Sequence, residues 1–336
     1  MAAVRIGVVG VGAITQLAHL PVLSKMRGAE LRALCDNDTA KVRALADRFD
    51  IRYTFTDMED LLASKSVDAV IVATPNHLHE PHVHSAMAAG VDVLCERPLS
   101  LTTRGVERLL KTARSTGRRM VVANNIRFRS DVQALTGFLR GEELGQIRGI
   151  RAGLYQLRGT VTGWRQRRRE AGGGSLFDGG LPLLDLALWL VEMPYPWRVS
   201  AHMDRAPGED SVEDALVAAV TFANGITLVL DLNREYVGEE ERWWFEVIGD
   251  RGSARLSPLR VVKELNGRPR DVSPSGAAAR DSAFIQSYRA SLAHFLALVR
   301  GELEYEPPND LLALHRVLDA IYSSAEQGHE VVVQAP

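Results

Sequence analysis

Two patterns of apolar and polar positions divide the chain. Up to about residue 123, short apolar runs alternate with amphipathic stretches of helical period. The apolar runs are Val4 to Val9, Leu31 to Cys35, Val67 to Ala73, Val91 to Cys95 and Met120 to Ala123. Continuous runs of this length suit strands buried on both faces. Between them, Ala40 to Phe49 places Val42, Leu45, Ala46 and Phe49 on one helical face. Met58 to Ala63, Pro81 to Ala89 and Thr102 to Ser115 read as further helices, the last two stopped by Gly90 and Gly117. Strand and helix in alternation predict a doubly wound parallel sheet, which binds ligands beyond the carboxyl ends of its strands. Three loops fall there: Thr74 to His79, Glu96-Arg97-Pro98 and Asn124 to Arg129.

From residue 124 onward the rhythm changes. Asp131 to Leu139 is helical and Ile147 to Leu157 strand-like; Gly172-Gly173-Gly174 leads to a helix from Leu181 to Val191. Ala215 to Phe222, Ile226 to Leu232 and Trp243 to Ile248 then alternate with period two, joined by turns at Asn224-Gly225 and Gly249-Asp250-Arg251-Gly252. Helices from Phe284 to Leu298 and Leu311 to Ser324 precede a last strand, Glu330 to Val333. The prediction is an α/β protein: residues 1–123 form a doubly wound domain, and residues 124–336 an α+β domain with a large, mostly antiparallel open sheet. Leu216, Val220, Phe222, Leu228, Leu230, Trp243 and Phe245 alternate along its strands, with few helices to cover both faces. An open apolar face predicts a homodimer or homotetramer.

Length agrees with two domains, since 336 residues exceed one typical core. A net charge of −2 gives no support for nucleic-acid or membrane binding. Cys35 and Cys95 both end apolar runs and are expected as buried free thiols. No Cys/His cluster has ligand spacing, so no metal site is expected. The sequence enters its first strand almost at once and holds no long apolar span, which predicts a cytoplasmic protein.

The candidate chemistry begins at Gly7-Val8-Val9-Gly10-Val11-Gly12, between the first strand and Ala13-Ile14-Thr15. Gly10 permits a sharp turn. Gly12 lets backbone N–H groups approach a pyrophosphate, which a helix N-terminus also attracts. Thr15 stands where the dinucleotide fingerprint has its third glycine. Asp36 ends the second strand near the usual spacing, about 20 residues on, for the acid that binds the adenosine ribose. Asp36 competes for a second role, capping the next helix, which Asp38 or Thr39 can also fill. A carboxylate there repels a 2′-phosphate, so NAD is favoured over NADP.

The chain resembles the glucose–fructose oxidoreductase/inositol dehydrogenase (Gfo/Idh/MocA) family. The resemblance rests on the glycine loop, Ala73-Thr74-Pro75-Asn76 with His79, Cys95-Glu96-Arg97-Pro98, Arg127-Phe128, Trp164-Arg165, the run Gly172 to Asp178, and Ala320 to Ser324. It implies a Rossmann domain, an α/β domain whose open sheet often mediates assembly, and NAD- or NADP-linked oxidation or reduction of sugars and cyclitols. It assigns Gly10, Gly12, Ala13, Ile14, Asp36, Thr74, Pro75, Asn76, His79, Glu96 and Arg97 to the cofactor. Arg97, Asn125, Trp164, Arg165 and Asp178 are assigned to the substrate, and Arg97, Asp178 and Tyr155 to catalysis.

Two positions depart from the family pattern. Its Glu-Lys-Pro is Glu96-Arg97-Pro98 here, and in its Asp-x-Gly-x-His-x-x-Asp the histidine position is Pro182. Oxidising an alcohol with NAD releases a proton to a base, and histidine is suited to that work. Proline supplies no base, although it is well tolerated in a first helical turn. Arg97 can polarise a carbonyl, yet it stays protonated and cannot relay a proton as lysine can. Asp178 would titrate usefully if buried without a cation; pairing with Arg97 would do the opposite. His77 and His79 are expected in a loop, His79 positioning the cofactor. Tyr155 can donate a proton, or simply pack in its sheet. The run Arg165 to Arg169 either holds an anionic substrate or forms a solvated loop. The leading expectation is an NAD-linked oxidoreductase acting on a small sugar-like molecule. Its rivals are a non-catalytic NAD-binding sensor or scaffold and an NAD-using lyase or glycosidase.

Overall fold

The apolar runs become the centre of a six-stranded parallel sheet. A computed structural model describes residues 3–274 and 282–333. The strands are β1 (Val4–Val9), β2 (Ala29–Cys35), β3 (Tyr53–Phe55), β4 (Ala69–Val72), β5 (Asp92–Cys95) and β6 (Met120–Val122). Their order, β3-β2-β1-β4-β5-β6, is that of a Rossmann sheet with the switch point between β1 and β4. The helices between them are α1 (Leu20–Leu23), α2 (Thr39–Phe49), α3 (Met58–Ala63), α4 (Asn76–Ala88) and α5 (Thr103–Thr116). Asp38 caps α2 through a 3.0 Å bond from Lys41 N. Both cysteines are buried free thiols, and burial pushes the Cys35 thiol up to about 12.

α4 begins five residues before the predicted start. Pro81 lies inside it rather than opening it. A proline there removes one i→i−4 bond. The burial of Val83, Ala86 and Met87 holds the helix together around that gap. Asn76, His77 and His79 are therefore on the first turns of a helix at the end of β4, not in a free loop.

The remaining helices are α6 (Ser130–Arg140), α7 (Arg168–Ala171), α8 (Leu181–Leu190), α9 (Ala283–Val299) and α10 (Asp310–Gln327). The second sheet holds β7 (Ile147–Leu157), β8 (Pro196–Arg205), β9 (Glu213–Phe222), β10 (Thr227–Tyr236), β11 (Arg242–Gly249), β12 (Gly252–Arg255), β13 (Arg260–Leu265), β14 (Arg268–Asp271) and β15 (Val331–Val332). Its order is β14-β13-β12-β11-β7-β10-β9-β8-β15. The β7–β10 pair is parallel and the other pairs antiparallel, so the sheet is mixed and mostly antiparallel.

Among the described residues the contacts gather into two units, 3–128 with 282–309 and 129–274 with 310–333. α9 thus belongs to the Rossmann unit. Its Leu292, Phe295 and Leu296 join Ile6, Val8, Leu34, Ile71 and Leu94 in one core. In the second unit α8 packs on β7 and α10 on β8. Leu216, Val220, Phe222, Leu228, Leu230 and Phe245 are buried. They lie with Trp243 on the helix-covered face, so the alternation does not leave them open as expected. The period-two register assigns the other face to Val217, Val229, Trp244 and Ile248, mixed with Arg151, Asp231 and Glu246. No described helix is long and apolar enough to cross a membrane.

His315, buried on α10, gives this unit an acid sensitivity. Burial pushes its pKa down from 6.5 to about 4. Below pH 6.5 the unfolded chain takes up a proton that the folded chain refuses. Stability then falls, by about 3 kcal/mol as pH drops to about 4. His315→Leu is expected to flatten the melting temperature between pH 7 and pH 4.5. Parallel profiles for the two proteins would refute this assignment.

Candidate active site

The glycine loop follows β1. Gly10 has φ +92°, and a Cβ there would lie 2.5 Å from the Ala73 carbonyl oxygen. Only glycine fits this crossing of β1 and β4. Gly12 differs: its φ is not in the left-handed region, and a Cβ would meet nothing within 4 Å. Nothing in the chain demands glycine at position 12. A pyrophosphate laid against the backbone does, and the loop fits a dinucleotide on that ground. Thr15, at the third fingerprint position, is buried and donates from Oγ1 to the Gly10 carbonyl at 2.7 Å. The hydroxyl pins the loop where a glycine would only have let it pack closely. A π-helical turn, Thr15–His19, follows, with Ala13 and Ile14 leading into it; such turns recur at functional sites.

Asp36 does not cap α2. Its Oδ2 accepts from Val11 N at 2.8 Å and its Oδ1 from Asp38 N at 3.0 Å. The carboxylate is thereby fixed beside the glycine loop. Across the switch point, Thr74, Pro75 and Asn76 lead from β4 into α4. His79 is buried, with each ring nitrogen 2.7 Å from a carbonyl oxygen, Pro98 on one side and Thr74 on the other. It ties the segment after β4 to the segment after β5. Burial lowers its pKa, outweighing the two carbonyls and Glu96.

Glu96 and Arg97 follow β5. Glu96 Oε1 lies 2.9 Å from His19 Nε2 and accepts from the Tyr288 hydroxyl at 3.2 Å. Burial would raise the Glu96 carboxyl, but His19, Arg97 and Tyr288 together hold it below the usual range. Arg97 Nη1 donates to Asn125 Oδ1 at 3.0 Å and to the Ala123 carbonyl at 3.3 Å.

In the second unit, Asp178 lies in another π-helical turn, Leu176–Gly180, just before α8. Pro182, in the first turn of α8, has no N–H to donate to the Asp178 carbonyl four residues back. Arg165 Nε donates to Asp178 Oδ1 at 3.3 Å, so Arg165 supplies the cation beside Asp178. The Arg165 guanidinium also lies over the Trp164 ring, 4.4 Å from its centroid. Arg167, Arg168 and Arg169 pair with Glu170, Glu326 and Asp210. The basic run is thus a series of ion pairs on a 3₁₀ turn and on α7 rather than in a loop.

Tyr155 is not brought to Asp178. A Cβ on Gly179 would lie 2.5 Å from Leu154 Cδ2 and 3.3 Å from Gln156 Oε1, so those neighbours face the turn. Tyr155 points to the other face by strand alternation. There its hydroxyl donates to Asp231 Oδ2 at 2.6 Å, and its ring meets Trp244 edge to face at 5.0 Å. The bond to Asp231, with burial and charge, pushes its pKa to about 12, far from useful for proton transfer near neutrality.

Several polar residues near these groups escaped the sequence reading. Gln156 sits against Gly179. Arg234 is buried, donates from Nε to Asp214 Oδ1 at 2.8 Å and from Nη1 to the Arg165 carbonyl at 3.3 Å. It had a signal: it continues the buried row Leu228, Leu230, Leu232 with a charge. His19, Ser287 and Tyr288 had none, because their partners lie far away in sequence.

A Rossmann sheet with this loop, followed by a mixed open sheet, defines a two-unit NAD-binding oxidoreductase. Residues 4–124 match the model of an oxidoreductase family with an NAD-binding Rossmann fold, and residues 132–255 the Gfo/Idh/MocA C-terminal domain. The chain belongs to the Gfo/Idh/MocA family. It is 27% identical to the D-glucoside 3-dehydrogenase of Escherichia coli K12 across 97% of both chains. It is 29% identical to the inositol 2-dehydrogenase of Acidothermus cellulolyticus across 80% of this chain and 77% of that one. GenD2 from gentamicin A biosynthesis, solved in complex with NAD, superposes with a TM-score of 0.85 at 27% identity, covering 100% of this chain and 97% of GenD2.

Proposed function

We propose that the protein is an NAD-dependent dehydrogenase or reductase that interconverts hydroxyl and keto groups on a sugar, cyclitol or related small molecule. Its relatives bear the names of sugar and inositol dehydrogenases. The observation that carries the reading is Arg97: a guanidinium clamped through one nitrogen at the carboxyl end of β5, where ligands of such sheets bind. NAD supplies the hydride acceptor or donor. The donors on Arg97 Nη2 and Nε then hydrogen-bond the reacting oxygen and stabilise negative charge on it, the hydroxyl proton passing to solvent water in the oxidation and returning from water in the reduction. Arg165 orients Asp178, which accepts a hydrogen bond from a substrate hydroxyl. Asn76, His79 and Glu96 shape the nicotinamide end, and Trp164 offers a face to the sugar. Asn125 serves through Arg97. Tyr155 takes no part.

The test is purified protein with NAD and a panel of polyols. Absorbance of the reduced nicotinamide should rise with at least one of them. A flat trace with every polyol and, in reverse, with NADH and the matching ketoses would sink the reading. The alternative, a non-catalytic NAD-binding sensor or scaffold, is favoured by Pro182, which removes the family's base.

The cofactor preference follows from Asp36. NAD at about a hundred times its dissociation constant should stabilise the protein by roughly 2.7 kcal/mol. NADP at the same concentration should give a smaller thermal shift, because the fixed carboxylate repels a 2′-phosphate. An equal or larger shift with NADP would remove Asp36 from its role.

The open face of the second sheet supports a homodimer or homotetramer, and we further propose a cytoplasmic location. Val217 is 50% exposed there and Ile248 38%, on the same face as Trp244. Light scattering at micromolar concentration should give a multiple of the 36.9 kDa chain mass; a monomer mass would contradict the proposal.

A further inference from the structure

α9 returns to the Rossmann unit from far along the chain, and two of its consecutive residues meet Arg97's surroundings, one at the segment after β5 and one at the segment after β6. Tyr288 bonds Glu96, and Ser287 bonds Asn125. Ser287 and Asn125 are both buried. Their hydrogen bonds have a fixed sense. The Ser287 hydroxyl donates to the Phe284 carbonyl at 2.7 Å. Having spent its one hydrogen, Oγ can only accept. Asn125 must therefore turn its amide nitrogen toward Ser287, which it does at 3.0 Å. The amide oxygen is left to face Arg97, and it accepts from Nη1 at 3.0 Å. The Ala123 carbonyl, also an acceptor, receives the same nitrogen. The whole run reads from Arg97 through Asn125 and Ser287 to the Phe284 carbonyl, each link with its donor and acceptor assigned.

We propose that Ser287 is a positioning residue that fixes the Asn125 amide and, through it, the orientation of the Arg97 guanidinium. The inference deepens the proposed function, since it rests on Arg97 meeting the substrate oxygen. The relay also states why residue 97 must be a donor: an acceptor there would face Asn125 Oδ1 and the Ala123 carbonyl with nothing to give. Asn125 is accordingly bound to Arg97 rather than to substrate. Without Ser287, the amide is held only by the Arg97 N–H itself, so its oxygen is fixed from one side instead of two and one of the two holds on the guanidinium loosens.

The first readout needs no turnover. Phenylglyoxal modifies arginines, and peptide mass spectrometry follows each one separately. In Ser287→Ala, Arg97 should be modified about fivefold faster than in the wild type, the loss expected for one hydrogen bond. Arg108 and Arg114, on the exposed side of α5, serve as internal references and should keep their rates. Ser287→Thr, which retains the hydroxyl, should restore the wild-type rate at Arg97. Asn125→Ala breaks the relay at another link and should reproduce the increase, with no further effect from adding Ser287→Ala. An unchanged Arg97 rate in both single variants would overturn the proposal. So would an increase shared by Arg108 and Arg114, which marks general loosening. The second readout uses whichever polyol the wild type oxidises: Ser287→Ala should lower kcat about fivefold with the NAD-induced thermal shift intact, and Ser287→Thr should restore it. If no polyol is oxidised and no matching ketose is reduced, the functional reading fails while the labelling still decides the relay.

Discussion

Gly10→Ala is expected to cost about 3–5 kcal/mol of stability and to abolish the thermal shift with NAD. A methyl group at position 10 would lie 2.5 Å from the Ala73 oxygen and 2.8 Å from Thr74 N, both backbone atoms. Neither partner can retreat. Gly10 N donates to the Cys35 carbonyl and Ala73 N to the Val9 carbonyl, each at 2.8 Å, so a shift on either side breaks the ladder at the centre of the sheet. The left-handed φ adds about 1–2 kcal/mol for any residue with a Cβ. Gly12→Ala is the matched control. Its methyl meets nothing within 4 Å, so melting without cofactor should stay close to wild type. Binding of NAD should nonetheless fall, because the methyl occupies the space the pyrophosphate needs. Differential scanning fluorimetry with and without NAD separates the two. Equal loss of stability in both variants would show that Gly12 is held by the fold and not by the cofactor.

Much of the fold is written in local patterns. The apolar runs of β1, β2, β4, β5 and β6 are legible because strands buried on both faces need no alternation to be found. β9, β10 and β11 are legible through their period of two. β3 escaped because it is three residues long and no residue in it is buried. β8 escaped because its exposed positions, apart from Trp197, hold polar and charged residues around a buried Val199. The strands β12 to β14 are short and largely polar at the sheet's far edge. α9 was visible as a helix, yet periodicity says only that a face is buried, not against which sheet. The site divides in the same way. Gly10, Gly12 and Asp36 are readable because their chemistry is local to one strand–loop–helix unit. Tyr155 was open to correction from the sequence itself: Ile150, Ala152 and Leu154 form the apolar row of β7, so an odd-numbered neighbour must face away. The Arg97 surroundings were not readable, since Asn125 and Ser287 meet only through tertiary packing.

The exchange of Arg97→Lys together with Pro182→His is expected to lower turnover of the true substrate, and Arg97→Ala alone to bring it near zero. The structure gives Arg97 a tailored seat: Asn125 Oδ1 and the Ala123 carbonyl both receive Nη1, a spacing set for a long planar guanidinium. A lysine ammonium is a compact point charge on a different stem and would not present the remaining donors in the same fork. It would add a titrating group, so any residual rate should gain a limb at alkaline pH that the wild type lacks. The imidazole introduced at position 182 would stand four residues after Asp178, within about one helical turn. There it would compete with Arg165 for that carboxylate, which now accepts from Arg165 Nε at 3.3 Å. Loss of activity in the double variant, with NAD binding unchanged, is the signature of an adapted enzyme whose electrophile is Arg97. The opposite result, a gain of about 10²–10⁴-fold on a polyol, would mean that Arg97 and Pro182 mark a family site that has drifted from its chemistry and can be repaired. Steady-state rates of the wild type, the double variant and Arg97→Ala, with the thermal shift by NAD recorded for each, decide between the two. The adapted enzyme is the expected outcome because Asp178, Arg165 and Trp164 are joined by a hydrogen bond and a ring contact, and Arg234 holds both Asp214 and the Arg165 carbonyl, an ordered polar cluster that binding of NAD alone does not call for.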